Sequence, residues 1–501
     1  MALARTAQEI VEDRGSAEVP LWIDGEPLRS ESDRTIDDLA PGTGELFARF
    51  QSGSVEDVRH AAAAGSEAAV GWAAVGIRER AQRIVDLADR LMAHSEILCL
   101  IDALDTGSPI RAMRADVAKG IDYLRLCAGV AAELKGQLIP ASPSTLHFTV
   151  PEPWGVVGAI TAYNHPILFA CQKTGPALLA GNAVVLKASH LAPLSSIAFA
   201  FFTDGILPPG VLNVVTGGPE TGQALVRNSH IPRITFTGSV SSGLAVQDAA
   251  ASSGTIKHLT LELGGKNPMI VFPDMDPKEA ALAAVRGMNF TRVQGQSCGS
   301  TSRLLLHVDI HHETVNEIVE LVSKIRLGLP DDEETEMGSL ISTTHQDRVL
   351  GFVAAGNQEG ATLAFGGDRP RDNPDLERGA YVQPTVFDDV KPNMTIAREE
   401  IFGPVLSVLT WTDEEEAVRL ANDTDYGLTA SIWTHDIDRA LRTAARMECG
   451  YVWINDVESR YPGVPFGGWK QSGVGTEQGL ADEIASFTRN KSVNIRVRPA
   501  P

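Results

Sequence analysis

Apolar positions recur at three- and four-residue spacing along residues 55–135. Segments such as VEDVRHAAAAGSEAAVGW and RERAQRIVDLADRLMAHSEILCLIDAL set alanine and leucine against charge at that spacing, which predicts helices. From about residue 148 the pattern changes to strand, turn, helix. The short β-rich runs WGVVGAITAY, NAVVLKAS, VLNVVTGG and RITFTGS are separated by helical segments, the signature of a parallel α/β sheet covered on both faces. The alternation resumes after residue 262: NPMIVFP reads as a strand, PKEAALAAVRGMNF as a helix and STSRLLLHVDI as another strand, followed by AVRLANDTDYG, TASIWTH and GYVWIND. Two α/β layers joined near residue 260 account for a chain of 501 residues, too long for one ordinary core. Residues 136–150 (GQLIPASPSTLHFTV) and 488–497 (TRNKSVNIRV) suit neither layer. They read as exposed strands, and an unpaired edge invites another subunit.

Composition removes several function classes. Hydrophobic residues make up 43% and charged residues 21%, the balance of a soluble globular protein. A formal net charge of −21 with no basic stripe argues against a nucleic-acid partner. The longest apolar runs, such as IAFAFF at 197–202, fall short of the roughly 18–20 residues that span a bilayer. The charged N-terminal stretch does not read as a signal peptide. Twelve histidines include a single adjacent pair, His311-His312, with neither HExxH nor CxxC, so no metal is implied. The five cysteines (Cys99, Cys127, Cys171, Cys298 and Cys449) are an odd number, widely spread, which predicts reduced thiols in the cytoplasm.

Four stretches carry candidate chemistry. VVTGGPETG (214–222) and ITFTGSVSSG (234–243) put glycines between a β-run and a helix, where helix N-terminal N–H groups are free for a phosphate. Neither is a full dinucleotide fingerprint, and each alone is equally a plain βα turn. In LELGGKNP (261–268), Glu262 lies between leucines; it is either a carboxylate satisfied by backbone or a base whose pKa an apolar setting lifts towards neutrality. In AYNHP (162–166), Asn164 either caps the following helix or serves as an oxyanion donor. In RVQGQSCGSTSR (292–303), Cys298 is flanked by small and polar residues rather than by the apolar neighbours of a packed thiol. Cysteine, glutamate and asparagine together supply nucleophile, base and oxyanion donor for acyl chemistry.

At this point the chain resembles the aldehyde dehydrogenase superfamily, in its NAD(P)-dependent, hydrolytic form. LELGGKNP resembles the family's glutamate motif and QGQSCGS its cysteine motif. EEIFGPV (399–405) resembles the cofactor-ribose motif and PFGGWKQSGVG (465–475) the C-terminal signature, with YNHP, KASH and FTGS in the expected order. The resemblance implies a Rossmann-like dinucleotide-binding domain (1–135 and 151–261), an α/β catalytic domain (262–480) and a small β oligomerisation element (136–150 and 481–501). It implies Cys298 as nucleophile, Glu262 as the base that activates the hydrolytic water, and Asn164 with the Cys298 backbone N–H as oxyanion donors. For the cofactor it implies Lys187, Ser189, His190, Gly218, Gly222, Phe236, Gly238 and Ser239, with the backbone of Ile160, Thr161, Ala162, Tyr163, Leu263 and Gly264. Glu400 and Phe402 would orient the nicotinamide ribose and ring. The thiol, with an ordinary pKa of about 8.5, would need local lowering. A homodimer or homotetramer is expected.

Two features depart from the common pattern. KASH places His190 where NAD-preferring members often carry a glutamate; a carboxylate repels a 2′-phosphate and a histidine does not, so the cofactor is read as NAD or NADP. The interval from Glu262 to Cys298 is slightly longer than usual, with the extra residues near NFTRV beside a substrate tunnel. Tunnel candidates are His165, Phe169, Gln172, Arg292, Ser297, Glu458, Arg460 and Tyr461. Phe169 and Tyr461 suit an apolar or aromatic aldehyde, whereas Arg292 or Arg460 suits the carboxylate of a semialdehyde. Competing readings are weaker. A CoA-acylating relative typically lacks the base glutamate. A thiol hydrolase leaves the cofactor motifs unexplained, and a silent scaffold leaves the intact catalytic positions unexplained.

Overall fold

The computed structural model describes residues 7–497, apart from 8, 14, 16 and 372. The helical pattern of residues 55–135 resolves into Val55–Ala74, Ile77–Ala93, Ser95–Thr106 and Ile110–Gly129. The first starts at a capping box: Ser54 Oγ accepts from Asp57 N at 3.1 Å, and the Asp57 carboxylate accepts from Ser54 N at 2.6 Å. Two of the helix's orphan N-terminal donors are satisfied in this way.

Among the described residues, eight strands form one sheet in the order Gly473–Val474, His258–Glu262, Arg233–Thr237, Val156–Ile160, Ala183–Lys187, Leu212–Val215, Leu21–Ile23 and Glu26–Leu28. The five strands from His258–Glu262 to Leu212–Val215 are parallel. Every residue of Val156–Ile160, Ala183–Lys187 and Arg233–Thr237 is buried, as expected where helices cover both faces. From Val156–Ile160 the chain winds outward through the next two strands in one direction. It then returns to lay Arg233–Thr237 on the other side, so the strand order reverses between those neighbours. Such a switch point opens a crevice at the carboxyl ends of the strands. Gly158 sets the depth of the packing here: a Cβ there would meet Leu225 Cδ2 at 2.4 Å, so only glycine lets helix Pro219–Arg227 lie this close.

The second sheet runs Thr362–Phe365, Thr385–Asp388, Val405–Trp411, Arg303–His307, Pro268–Val271, Thr429–Trp433 and Tyr451–Ile454. Its parallel core strands come from the runs after residue 262, as the alternation predicts. Leu138–Ser142, Thr145–Pro153 and Thr488–Arg496 form a separate antiparallel sheet with exposed Leu138, Ile139 and Ile495. The hydrophobic pattern does not announce Gly473–Val474, which pairs with Leu261 and Glu262 across the first sheet although it falls within 262–480. A two-residue strand has no period to read. Residues 1–6 and 498–501 of the anticipated domains lie outside the described residues. No helix among the described residues is long and apolar enough to cross a membrane.

Candidate active site

Five strand ends build the cleft. Ile160, Lys187, Thr237 and Glu262 close their strands, and Gly218 follows Leu212–Val215 by a short turn. A cavity of about 560 Å³ opens above them. It is lined by Ile160, Thr161, Ala162, Tyr163, Asn164, Lys187, Ser189, His190, Gly218, Gly222, Phe236, Gly238, Ser239, Glu262, Gly264, Cys298, Glu400 and Phe402. Leu263 is anticipated there only through its backbone. Its side chain turns into the core, where a Cβ on Gly243 would meet its Cδ2 at 2.6 Å. Strand alternation explains this: Glu262 faces the cleft, so its neighbour faces the other way.

Glu262 is pinned by the ladder on both sides, opposite Thr237 and Gly473, and Leu263 N donates to Ser472 O at 2.9 Å. Its Oε1 is buried with no hydrogen-bond partner. Burial lifts the Glu262 pKa to about 7, with Arg460 pulling the other way and Glu477 adding to the rise. The apolar flanks predicted this direction. Cys298 is 9% exposed and interacts with the Glu262 carboxyl. In the chain by itself, burial, then the Glu262 charge, push Cys298 well above its ordinary value, and Arg460 offsets only part of this. Activation of the thiol therefore has to come from proton transfer to a neighbour or from added positive charge.

The loop carrying Cys298 is fixed from behind. Asn267 Nδ2 donates to Cys298 O at 2.7 Å and to Ser300 O at 2.9 Å, and Asn267 Oδ1 accepts from Thr429 N at 3.0 Å. Gly265 must lack a side chain, because a Cβ would lie 2.7 Å from Cys298 O. Asn164 does not cap helix Pro166–Leu179; His165 occupies the cap position, and Asn164 Nδ2 donates to Gln296 O at 2.9 Å. An amide nitrogen carries two N–H groups, so one remains for a ligand.

On the opposite side, Gly265 N donates to Glu400 Oε1 at 2.8 Å, and a Cβ on Gly264 would fall 2.1 Å from Glu400 Oε2. Burial lifts the Glu400 pKa to about 7. Among the lining residues not anticipated from sequence are His345 and Arg348. His345 Nε2 bonds Phe402 O at 2.7 Å, and Arg348 donates to Glu400 O at 2.9 Å and Ile401 O at 3.3 Å. Together they grip three consecutive carbonyls, including that of Phe402, whose φ of 56° lies in the left-handed region. Because 52 or more residues separate each pair in sequence, no local signal joins them.

A second cavity of about 420 Å³ reaches Cys298 from the other direction. His165, Phe169, Gln172, Arg292, Ser297, Glu458 and Arg460 line it, as anticipated, and Lys119 joins them unanticipated. Tyr461 does not line it; it is 77% exposed on the loop's outer side. The turn Asn289–Gln294, bracketed by left-handed residues at φ of 59° and 54°, brings Arg292 to this wall. Cys298 is shared by both cavities.

Known proteins match this architecture along nearly its whole length. The model of the aldehyde dehydrogenase family matches residues 28–493. The chain is 41% identical to the aldehyde dehydrogenase tropH of Talaromyces stipitatus over 483 residues, 95% of this chain and 93% of that one. HpcC from Thermus thermophilus superposes with a TM-score of 0.94 at 38% identity, covering 99% of this chain and 96% of that one. An aldehyde dehydrogenase from Bacillus cereus, solved as its NAD+ complex, gives a TM-score of 0.93 at 38% identity over 98% of each chain. The chain belongs to the aldehyde dehydrogenase family.

Proposed function

We propose that this protein oxidises an aldehyde to the carboxylic acid with NAD, using Cys298 as nucleophile, Glu262 as base and Asn164 as oxyanion donor. The observation that carries this reading is the meeting of two cavities at one sulfur: cofactor and aldehyde can approach Cys298 from opposite sides without sharing an entrance.

The cleft fits a dinucleotide on its own features. A Cβ at Gly218 or Gly222 would enter open space, so the turn ahead of helix Pro219–Arg227 presents bare backbone to the cavity, where a pyrophosphate suits the helix N-terminus. Lys187, buried enough to bring its pKa down to about 8, has no ion-pair partner among the described residues and is placed for a ribose hydroxyl. Glu400 would accept from the nicotinamide ribose, with Phe402 beside the ring. His345→Ala, which frees the Phe402 carbonyl, is expected to raise the NAD dissociation constant about tenfold, the loss of one buried hydrogen bond plus order in the segment. His345→Gln, which keeps a donor, should recover most of it. Equal NAD affinity in both variants and the wild type would contradict the clamp.

Chemistry follows from the chain's own groups. The thiol gives up its proton to solvent, its thiolate favoured by positive charge at the site, and the sulfur adds to the aldehyde carbon. The oxygen that becomes negative is held by the free Asn164 N–H and the backbone N–H of Cys298. A nicotinamide held by Glu400 and Phe402 would supply the hydride acceptor for this carbon, leaving a thioester on Cys298. Glu262 then deprotonates the water that attacks the thioester, and the acid departs as the sulfur is released. An intact Glu262 favours hydrolysis over transfer to a CoA thiol.

His190 lines the cavity next to Ser189, and burial, then Lys187, lower its pKa, which favours a neutral ring. A neutral imidazole has no charge with which to reject a 2′-phosphate, so NADP is expected to serve as well. Wild-type kcat/KM should differ by less than about 100-fold between the cofactors, roughly 2.7 kcal/mol, and His190→Glu should move preference towards NAD. A larger wild-type preference for NAD would refute this. The exposed three-stranded sheet, with Leu138, Ile139 and Ile495 uncovered, supports a homodimer or homotetramer, and five free cysteines support a cytoplasmic setting.

A further inference from the structure

The wall of the second cavity holds one hydrogen-bond acceptor whose polarity the protein sets in advance. His165 caps helix Pro166–Leu179, directly after Asn164, and lines the cavity together with Cys298. Its Nδ1 bonds Asp116 Oδ2, on a fully buried side chain. Arg292 Nη2 donates to Asp116 Oδ1 at 2.6 Å, which keeps Asp116 a carboxylate. A carboxylate only accepts, so Nδ1 must carry the ring's hydrogen. Burial, opposed by Asp116 and reinforced by Arg292 and Arg460, keeps the His165 pKa below its ordinary value, so the ring is neutral. Nε2 is therefore a bare lone pair. It has no hydrogen-bond partner among the described residues and is not sealed off by protein, so it opens into the cavity. Phe169, one turn along the helix, meets the imidazole at right angles with ring centroids 5.6 Å apart and helps to hold it. Gln172 and Ser297 on the same wall can turn to offer either a donor or an acceptor, so they select nothing; His165 cannot.

An aldehyde that fills this cavity displaces the water at Nε2. If it brings no hydrogen there, a fixed acceptor is left dry and unpaired, and the site discriminates against that aldehyde. An ether or ketone oxygen at the same place sets one lone pair against another. A hydroxyl group supplies the missing hydrogen. We propose that the substrate is an aldehyde that also carries a hydroxyl group, which donates to His165 Nε2, and that Asp116 is the positioning residue that sets this polarity. The proposal rests on the aldehyde-oxidation reading above and names the substrate class for it.

The test compares the three hydroxybenzaldehydes with their methyl ethers and with benzaldehyde, and glycolaldehyde with methoxyacetaldehyde, in the wild type, His165→Phe and Asp116→Asn. For the best hydroxyl-bearing aldehyde, the wild type should favour the hydroxyl over its methyl ether at least about tenfold in kcat/KM. His165→Phe, which keeps a ring but no acceptor, should bring that ratio close to one. In Asp116→Asn the amide oxygen still accepts from Arg292, while its N–H donates to Nδ1 and moves the ring's hydrogen to Nε2. The wall then donates, and the ratio should fall to about one or below. A merely structural role for Asp116 would lower both substrates alike and leave the ratio unmoved. Retained NAD affinity certifies that each variant is folded, and either variant suffices. Hydroxyl and ether used alike by the wild type would overturn the proposal. So would a preference that persists unchanged in a folded variant, since size alone would then select. No turnover with any member, while NAD still binds, would instead sink the aldehyde-oxidation reading and this inference with it.

Discussion

Exchange of Cys298 for serine is expected to lower turnover by at least about 10⁴-fold with every aldehyde, while the NAD dissociation constant stays within about threefold of the wild type. The asymmetry follows from position. Cys298 lies on both cavities, but the side chains that frame the far end of the cofactor cleft, from Lys187 to Ser239, are remote from it. The hydroxyl is a much weaker nucleophile than a thiol, and the same burial that raises the thiol's pKa would raise the hydroxyl's as well. One oxygen for one sulfur leaves Leu428 and Phe466, which pack against the residue, without a cavity large enough to unfold the site. Steady-state kinetics beside equilibrium binding separates the two quantities. Loss of NAD binding in parallel with turnover would mean that Cys298 holds the loop rather than the substrate.

The second large effect concerns Glu262. Glu262→Gln should reduce steady-state turnover about 10²–10⁴-fold, the range for loss of a general base, yet still give a burst of reduced cofactor equal to the enzyme concentration. The amide cannot accept the water's proton, so the thioester accumulates. Glutamine keeps the volume of the strand end, so the pairing with Thr237 and Gly473 persists. The pH profile provides a separate check. Burial lifts the folded carboxyl to about 7, so below that pH most of it is protonated and cannot act as a base. Wild-type turnover should therefore rise as pH climbs through about 7 and flatten above it. Glu400 titrates in the same region, but its contribution would survive in Glu262→Gln. A variant that keeps the rise would assign the pH dependence to Glu400.

The parallel strands and the glycine turns were legible in the sequence because each is a local pattern. A run such as RITFTGS contains its own strand, turn and helix start. The motif around Glu262 was legible for the same reason: a carboxylate between leucines at a strand end announces its environment. What escaped was built by chain segments far apart. Asn267 lies inside a motif that was noticed, yet its work, holding Cys298 O and Ser300 O, appears only when residues 298–300 fold back on it. His345 and Arg348 sit in a helix of ordinary appearance and become relevant through carbonyls at 400–402. Asp116 was hidden in the interior of helix Ile110–Gly129, where a buried aspartate is legible only once His165 and Arg292 arrive as its partners. Leu263 and Tyr461 show the converse. Each belongs to a stretch whose neighbours line a cavity, and strand alternation or loop direction turns its own side chain away.

The central claim is that the acyl group passes through the Cys298 sulfur, and trapping it tests that claim most directly. Glu262→Gln is mixed with NAD and a single equivalent of an accepted aldehyde, quenched in acid, and weighed intact and after digestion. The account predicts a mass increase equal to the acyl group, confined to the peptide that contains Cys298 and removed by hydroxylamine. An unmodified Cys298 peptide after the burst, or the acyl group on another residue, would contradict it.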